Sequence, residues 1–389
     1  MKKFILSAIL LSTVVTISYA QKKKDAEPVE KPAVYQFTDT KVNPITSVKN
    51  QGSSGTCWCY SSLAMVEADV LKDKGLDVDL AEMWVVRHAY YEKVVKYIRM
   101  HGKTNLGPGG NAHDVPNMIA KYGIVPQKVY PGLEYGTDIN KHGEINNILE
   151  SFANTIIKNP NKQLSTGWTK ALNGILDAYF GELATTFTID GTEYTPESYA
   201  AYLGIDPDDY VSYTSYTHHP FGTAFAVEIP DNWMWGNSEN VELDEFMKIS
   251  EQVVDNGYTI CWGSDVSDKG FKYADTFAVL PETQVENLKG SDQEKWTGKD
   301  AATFYEFKEI VPEINVTQEY RQECFDNYTS TDDHGMLIYG LATDQEGNKY
   351  FKVKNSWGES NKLKGHFYTS YPFYAGRTIN IMFNKKALK

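Results

Sequence analysis

The chain has 389 residues, 41% hydrophobic and 23% charged, with 29 Gly and 15 Pro. That profile excludes a disordered, collagenous or coiled-coil protein, and the lack of a fixed-period repeat excludes a solenoid. Its 51 acidic residues outnumber 38 basic ones for a formal charge of −13, which excludes nucleic acid or an anionic membrane as the main partner.

The first elements read as an address. Lys2 and Lys3 precede an apolar run from Phe4 to Ile17, and Ser18-Tyr19-Ala20 supplies small residues where a signal peptidase cuts. Residues 1–20 are expected to be a signal peptide, too short in its apolar part to span a bilayer. The mature chain is thus expected to be exported, periplasmic or secreted, with no integral membrane segment. Removing two lysines takes the charge from −13 to −15. No Cys follows Ala20, so no lipid anchor is indicated. Residues 21–43 are expected to form a polar tether, with a lysine run and two prolines between Gln21 and Pro32. Residues 44–389 then form the folded body.

The body begins with a Gly/Ser/Thr-rich loop, Gln51-Gly52-Ser53-Ser54-Gly55-Thr56, running into Cys57-Trp58-Cys59. Leu63, Val66 and Val70 at helical spacing and Gly75 as a stop predict a helix over 57–75. Cys57 then sits at a helix N-terminus, where unpaired N–H groups and the dipole favour a thiolate, the nucleophile of acyl transfer. Cys59, roughly 200° around the helix, is expected to point into the core. Cys261 and Cys324 are isolated, so the four cysteines do not read as a disulfide framework. Further helices are expected over 81–101 and 112–122, flanking Gly109-Gly110, a bare backbone that an extended peptide can approach. Residues 140–256 read as an insertion with helices at 145–157 and 169–183, and with Tyr210, Tyr213 and Tyr216 on a loop or edge strand. His218-His219 before Pro220 reads as a surface turn, not a metal site.

Strand-like patterns follow over 259–280 and 338–383. Between Asp332-Asp333-His334-Gly335 and Asn355-Ser356-Trp357-Gly358 lies a hairpin signal with the turn Asp344-Gln345-Glu346-Gly347. A four-residue loop would pair Thr343 with Asn348, put His334 opposite Trp357 and place Asn355 on the same face. An Asn amide can fix an imidazole tautomer, and an indole can shield that bond from water.

Taken together, these stretches resemble the papain-like cysteine peptidases. Gln51 stands six residues before Cys57 as that family's oxyanion glutamine does; Gly109 and Gly110 match its substrate-binding glycines, His334-Gly335 its base, and Asn355-Ser356-Trp357-Gly358 its Asn-Ser-Trp-Gly signature. Ser53-Ser54-Gly55-Thr56-Cys57-Trp58 and Trp262-Gly263-Ser264-Asp265-Val266 are similar to the bleomycin hydrolase and aminopeptidase C branch, as is the long separation between Gly110 and His334. The resemblance implies an α+β, two-lobe fold, a helical lobe facing a β-barrel-like lobe, with helical insertions and a cleft between them.

It also implies a cysteine peptidase acting on peptide substrates, trimming their N-termini, without cofactor or metal. Cys57, His334 and Asn355 would be catalytic, Gln51 and Cys57 would form the oxyanion hole, and Trp357 would shield the His–Asn pair. In that branch a longer C-terminal arm lies in the cleft and accompanies a hexameric cage, whereas this sequence stops at Lys389. A homo-oligomer is therefore left open, and Asp332 and Asp333 become candidates for holding a substrate amine. The rival readings are an endopeptidase of the same fold, an inactive peptide-binding relative, and a transglutaminase-like acyl transferase, the last disfavoured by Asn355 where those proteins use Asp.

Overall fold

The computed structural model describes residues 34–282 and 306–389; the expected signal peptide and the start of the tether lie outside the described residues. Of the expected tether, the last ten residues belong to the folded body. Tyr35 is buried against Phe277 and Tyr350, and Thr38–Val42 forms β1. The polar composition of 21–32 does not extend to Tyr35 and Phe37, whose rings are large enough to anchor the segment.

The first lobe is helical. Cys57–Lys74 (α1) ends at Gly75, whose positive φ closes it in a left-handed cap. Glu82–Arg99 (α2) and Asp114–Tyr122 (α3) follow. From the insertion, Gly143–Ile157 (α4) and Trp168–Phe180 (α5) pack against α2. Their buried residues, Ile145, Leu149 and Ala153, then Leu172, Leu176 and Phe180, recur at the three- and four-residue spacing that makes one apolar helix face. The short hairpin Phe187–Ile189 (β2) and Thr192–Tyr194 (β3) leads to Pro196–Leu203 (α6), which starts on a Thr195 capping box.

The remaining elements build one long sheet. Its strands are Tyr210–Thr214 (β4), Thr223–Ala226 (β5), Asn237–Asn240 (β6), Ile260–Ser264 (β7), Phe271–Lys272 (β8), Phe277–Ala278 (β9), His334–Thr343 (β10), Lys349–Lys354 (β11), His366–Ser370 (β12) and Thr378–Asn384 (β13). They run in the order β5-β6-β4-β13-β7-β10-β11-β12-β9-β8, with β1 alongside β10. The expected barrel is not closed among the described residues: the short strands β5 and β8 remain as the two ends of the order. β4 is not an edge, since it lies between β13 and β6, and Tyr216 is fully buried. The insertion thus widens the main sheet as well as supplying helices.

The two faces of the central strands go to two cores, as the period of two requires. Cys261 of β7, Leu337 of β10 and Met382 of β13 belong to the helical core around α1. Their neighbours Ile260 and Trp262, Met336 and Ile338, and Ile381 and Phe383 face the opposite core. That second core is covered by Leu243–Asp255 (α7) and Tyr371–Arg377 (α9). Gln318–Asp326 (α8) packs on α9, where the buried Arg321 donates to the carbonyls of Ser215 and Ala375. The hairpin differs from expectation by one residue at its tip, where Thr343 pairs with Lys349. An irregularity between Ile338 and Gly340 then takes the extra residue back, so that Ile338 pairs with Val353 as the four-residue turn would have had it.

The stretch from Asn43 to Thr56 has no strand or helix of its own and is held by scattered backbone bonds and by side chains. Lys49 Nζ lies 2.7 Å from Glu67 of α1, from Glu82 of α2 and from Asp79. Glu67 and Glu82 are buried, and Glu67 also accepts from Thr46 Oγ1 and Leu80 N–H. Lys49→Met would leave two carboxylates buried without a cation, and removing one partner of such a set costs about 3–5 kcal/mol. Thermal unfolding should show a marked loss of stability; a melting temperature within a degree of the parent's would mean that Lys49 holds nothing together.

Candidate active site

Cys57 is the first residue of α1, where the helix leaves its leading N–H groups without intrahelical partners. Before it, Gly52 and Gly55 adopt positive φ. A Cβ on Gly52 would strike the Asn140 carbonyl and one on Gly55 the Pro108 ring, so both turns need glycine. Gln51 is fixed at both ends of its residue: its N–H donates to Ser356 carbonyl at 2.8 Å, and its Oε1 accepts from Ser356 Oγ at 2.6 Å. With the oxygen so engaged, Nε2 is the atom free to donate.

His334 opens β10 and is buried. Its Nε2 lies 2.8 Å from Asn355 Oδ1, which also accepts the Ser356 N–H at 2.7 Å. The second bond identifies the oxygen as the atom facing the ring, so Nε2 carries the proton and Nδ1 is the acceptor. The Trp357 indole stacks on the imidazole, 4.6 Å between centroids and tilted by 26°, with Phe271 and Tyr273 edge-on to it. His334, Asn355 and Trp357 are thus together, and His334 lines the same cavity as Cys57. Cys59 is fully buried, with its thiol near the Glu82 carbonyl.

Burial is the largest influence on both reacting groups. It pushes the Cys57 thiol up to about 12, with Asp332 and Asp231 adding to the rise and the Gly335 and Trp58 N–H groups opposing it. It holds the His334 imidazole down at about 4 against the bond to Asn355. This reverses the expected lowering of the thiol by the helix end, because the cleft wall desolvates the sulfur and the nearest charges are carboxylates.

Gly109 and Gly110 are supported from below. Lys93 of α2 is buried and donates to the Gly107 carbonyl at 2.6 Å and to the Gly109 carbonyl, and Trp58 Nε1 donates to Pro108. A side chain on Gly110 would collide with Trp58 and Asp114, and one on Gly109 with Asp231. A cleft opens beside Cys57, with Gly110, Asp231, Gly263, Asp332 and Asn380 in its wall. The two acidic candidates part here. Asp333 is engaged by Thr331 Oγ1 at 2.8 Å and by the N–H groups of Val266 and Ser267, so it braces the loop after β7. Both line the cavity, but the Asp332 carboxylate has no hydrogen bond among the described residues. Asp231 gave no signal in the sequence, since it reaches the cleft from the connection between β5 and β6, over 170 residues from Cys57.

Elsewhere, Glu228 is a carboxylate near His218 and His219 that their spacing did not reveal. It accepts from both Nε2 atoms, at 3.0 and 2.7 Å. Gln322 Oε1 accepts from Thr217 N–H at 2.6 Å, which turns its NH2 toward His218 Nδ1. That tautomer satisfies the cluster with hydrogen bonds alone.

Comparison with known proteins agrees with this geometry. Residues 32–153 match the papain family of cysteine proteases and residues 286–389 the peptidase C1-like family. Two stretches of the chain thus match papain-type cysteine peptidase models, and its relatives are aminopeptidases C of the bleomycin hydrolase branch. Aminopeptidase C of Lactobacillus delbrueckii subsp. lactis is 24% identical over 88% of this chain and 80% of its own length. Aminopeptidase C of Lactococcus lactis subsp. cremoris is 26% identical over 90% and 82%. The crystal structure of PepW from Lactobacillus rhamnosis superposes with a TM-score of 0.65 at 22% identity, covering 90% of this chain and 83% of that one, which establishes the shared fold. These matches identify the chain as a cysteine-type enzyme.

The protonation state of the cleft can be measured without turnover. In Cys57→Ala the proton exchange partner is gone, and the buried His334 ring should titrate near 4 by NMR of its ring protons. A value at the ordinary 6.5 would show that the Trp357 cover leaves the ring in water.

Proposed function

We propose that this chain is an exported cysteine aminopeptidase that removes residues from the N-termini of peptides. The observation that carries the chemistry is the chain of bonds from Ser356 to Gln51 on one side and to Asn355 and His334 on the other, with His334 in the same cavity wall as Cys57. In this reading Cys57 Sγ attacks the substrate carbonyl as its proton passes to His334 Nδ1. The oxyanion takes hydrogen bonds from Gln51 Nε2 and the Cys57 N–H. His334 then gives the proton to the departing amine, and water, deprotonated by the same ring, releases the acyl group from sulfur. Asn355 keeps Nδ1 as the accepting nitrogen throughout, and Trp357 keeps water from the His–Asn bond. The Gly109–Gly110 backbone pairs with the extended substrate. The relatives named aminopeptidase C, matched over four-fifths of their length, support action at a free N-terminus. Export rests on Lys2, Lys3, the apolar run and Ser18-Tyr19-Ala20, and N-terminal sequencing of the mature protein should begin at Gln21.

Cys57→Ala should abolish hydrolysis with an unchanged melting curve, whereas Cys59→Ala should retain most of it. On one short peptide amide carrying a fluorogenic leaving group, a free N-terminus should be cleaved at least tenfold faster than its acetylated form. Equal rates would make the enzyme an endopeptidase. No Cys57-dependent cleavage of either would leave a peptide-binding relative that has lost its activity.

A further inference from the structure

An aminopeptidase needs an acceptor for the substrate's ammonium group one residue's length from the nucleophile, and residues 385–388 are not placed to provide one. Residues Lys385–Leu388 form a tight turn against α7. Ala387 is buried there, and Lys386 is paired with Asp209 at 2.5 Å. None of these residues is in the wall of the cavity beside Cys57.

That wall holds an electrostatic imbalance instead. Asp332 and Asp231 both line the cavity. Burial first, and then the neighbouring carboxylates Asp231 and Asp333, push the Asp332 carboxyl up to about 8. The nearest buried cation, Lys93, has its Nζ on the Gly107 and Gly109 carbonyls; its charge partly offsets the burial of Asp231 but is not among the charges that act on Asp332. Asp231 takes one hydrogen bond, from Asn105 Nδ2 at 2.7 Å on Oδ1, and its other oxygen lies over Gly109. The floor adds a neutral acceptor: Asn380 gives its NH2 to Asn111 Oδ1 at 3.1 Å and turns its own Oδ1 toward Gly263. A side chain at position 263 would fill the space above Asn380, so glycine keeps the floor open.

We infer that Asp332 and Asp231, with Asn380 Oδ1 beneath them, form a subsite for the primary ammonium group of a bound peptide, next to the carbonyl that Cys57 attacks. The inference rests on the aminopeptidase reading for the source of that group, the α-amine of the N-terminal residue. A lysine side chain one residue further along an extended peptide offers the same chemistry. Two carboxylates facing a cavity without a cation are costly to ionise together. An ammonium ion relieves that cost and satisfies the oxygens at once, through charged hydrogen bonds strong enough for about a ten- to hundredfold preference. The two carboxylates come from separate parts of the sheet, Asp332 from the residue pair before the central strand β10 and Asp231 from the β5–β6 connection at one end.

The subsite can be read by labelling Cys57, which needs the thiol and the cavity but not turnover. Peptidyl chloromethyl ketones lose chloride to the sulfur and leave a thioether whose mass reports the site. Leucine chloromethyl ketone should label Cys57 about ten- to hundredfold faster than its acetylated form. The ratio should shrink in Asp332→Asn and in Asp231→Asn, which keeps the bond to Asn105, and should fall to about one in the double variant. A second pair, acetyl-lysyl-leucine and acetyl-norleucyl-leucine chloromethyl ketones, separates the sources. Preference for lysine there, lost in the double variant, with none for the free α-amine, would keep the subsite and remove the aminopeptidase reading. A ratio of about one for both pairs in the parent protein, or ratios unchanged in a double variant with an unaltered melting curve, would overturn the subsite. Peptide turnover in the same panel judges the proposed activity separately.

Discussion

The half-buried ammonium group of Lys49 fixes where the first half of the cleft sits. The segment that carries it has no ladder of backbone bonds, yet it must bring Gln51 to a fixed place beside Cys57. Lys49 does this by lying between Glu67 of α1 and Glu82 of α2, so that the approach to the loop is tied to the same two helices that position the nucleophile. Burial pushes the Glu82 carboxyl up against the pull of Lys49 beside it. Two residues on, the Gln51–Ser356 pair joins this helical side to the end of β11, and Asn50 bridges to Trp357. The oxyanion donor and the imidazole support are thus two ends of one hydrogen-bonded connection between lobes.

The sheet has a double duty. Because its central strands are buried on both faces, β7, β10 and β13 divide their side chains between α1 on one side and α7 and α9 on the other. Any strand slipping by one residue would exchange the two cores as well as turn His334 away from Cys57. Packing and catalytic geometry are therefore enforced by the same register, which is why a His at the very start of a strand can be held without a helix or disulfide to brace it. All four cysteines are free.

What could be read from the sequence was whatever depends on spacing along the chain. The helices at 57–74 and 82–99 follow from apolar periodicity, and the His334–Asn355–Trp357 group from a two-residue period across one hairpin. The family motifs added Gln51 and the glycines. What could not be read depends on distant segments meeting. The open sheet is widened by β4, β5 and β6 because these short strands find β13 as a neighbour, a pairing that no local pattern encodes. Asp231 enters the cleft from that added region and has no motif of its own. The raised Cys57 thiol was likewise hidden, since a helix N-terminus is visible in sequence but the apolar wall and the two carboxylates around the sulfur are not.

The irregularity near Tyr339 separates two things that a plain hairpin would lock together. From the tip, Thr343 through Gly340 keep the offset set by the long turn, and below the bulge Ile338 and Leu337 keep the offset that the active site needs. Changes of turn length are absorbed halfway down the ribbon, before they reach His334 and Asn355. The outer half of this hairpin, with β1 along its free edge, is therefore open to evolutionary insertion and deletion while the chemistry at its base stays in phase.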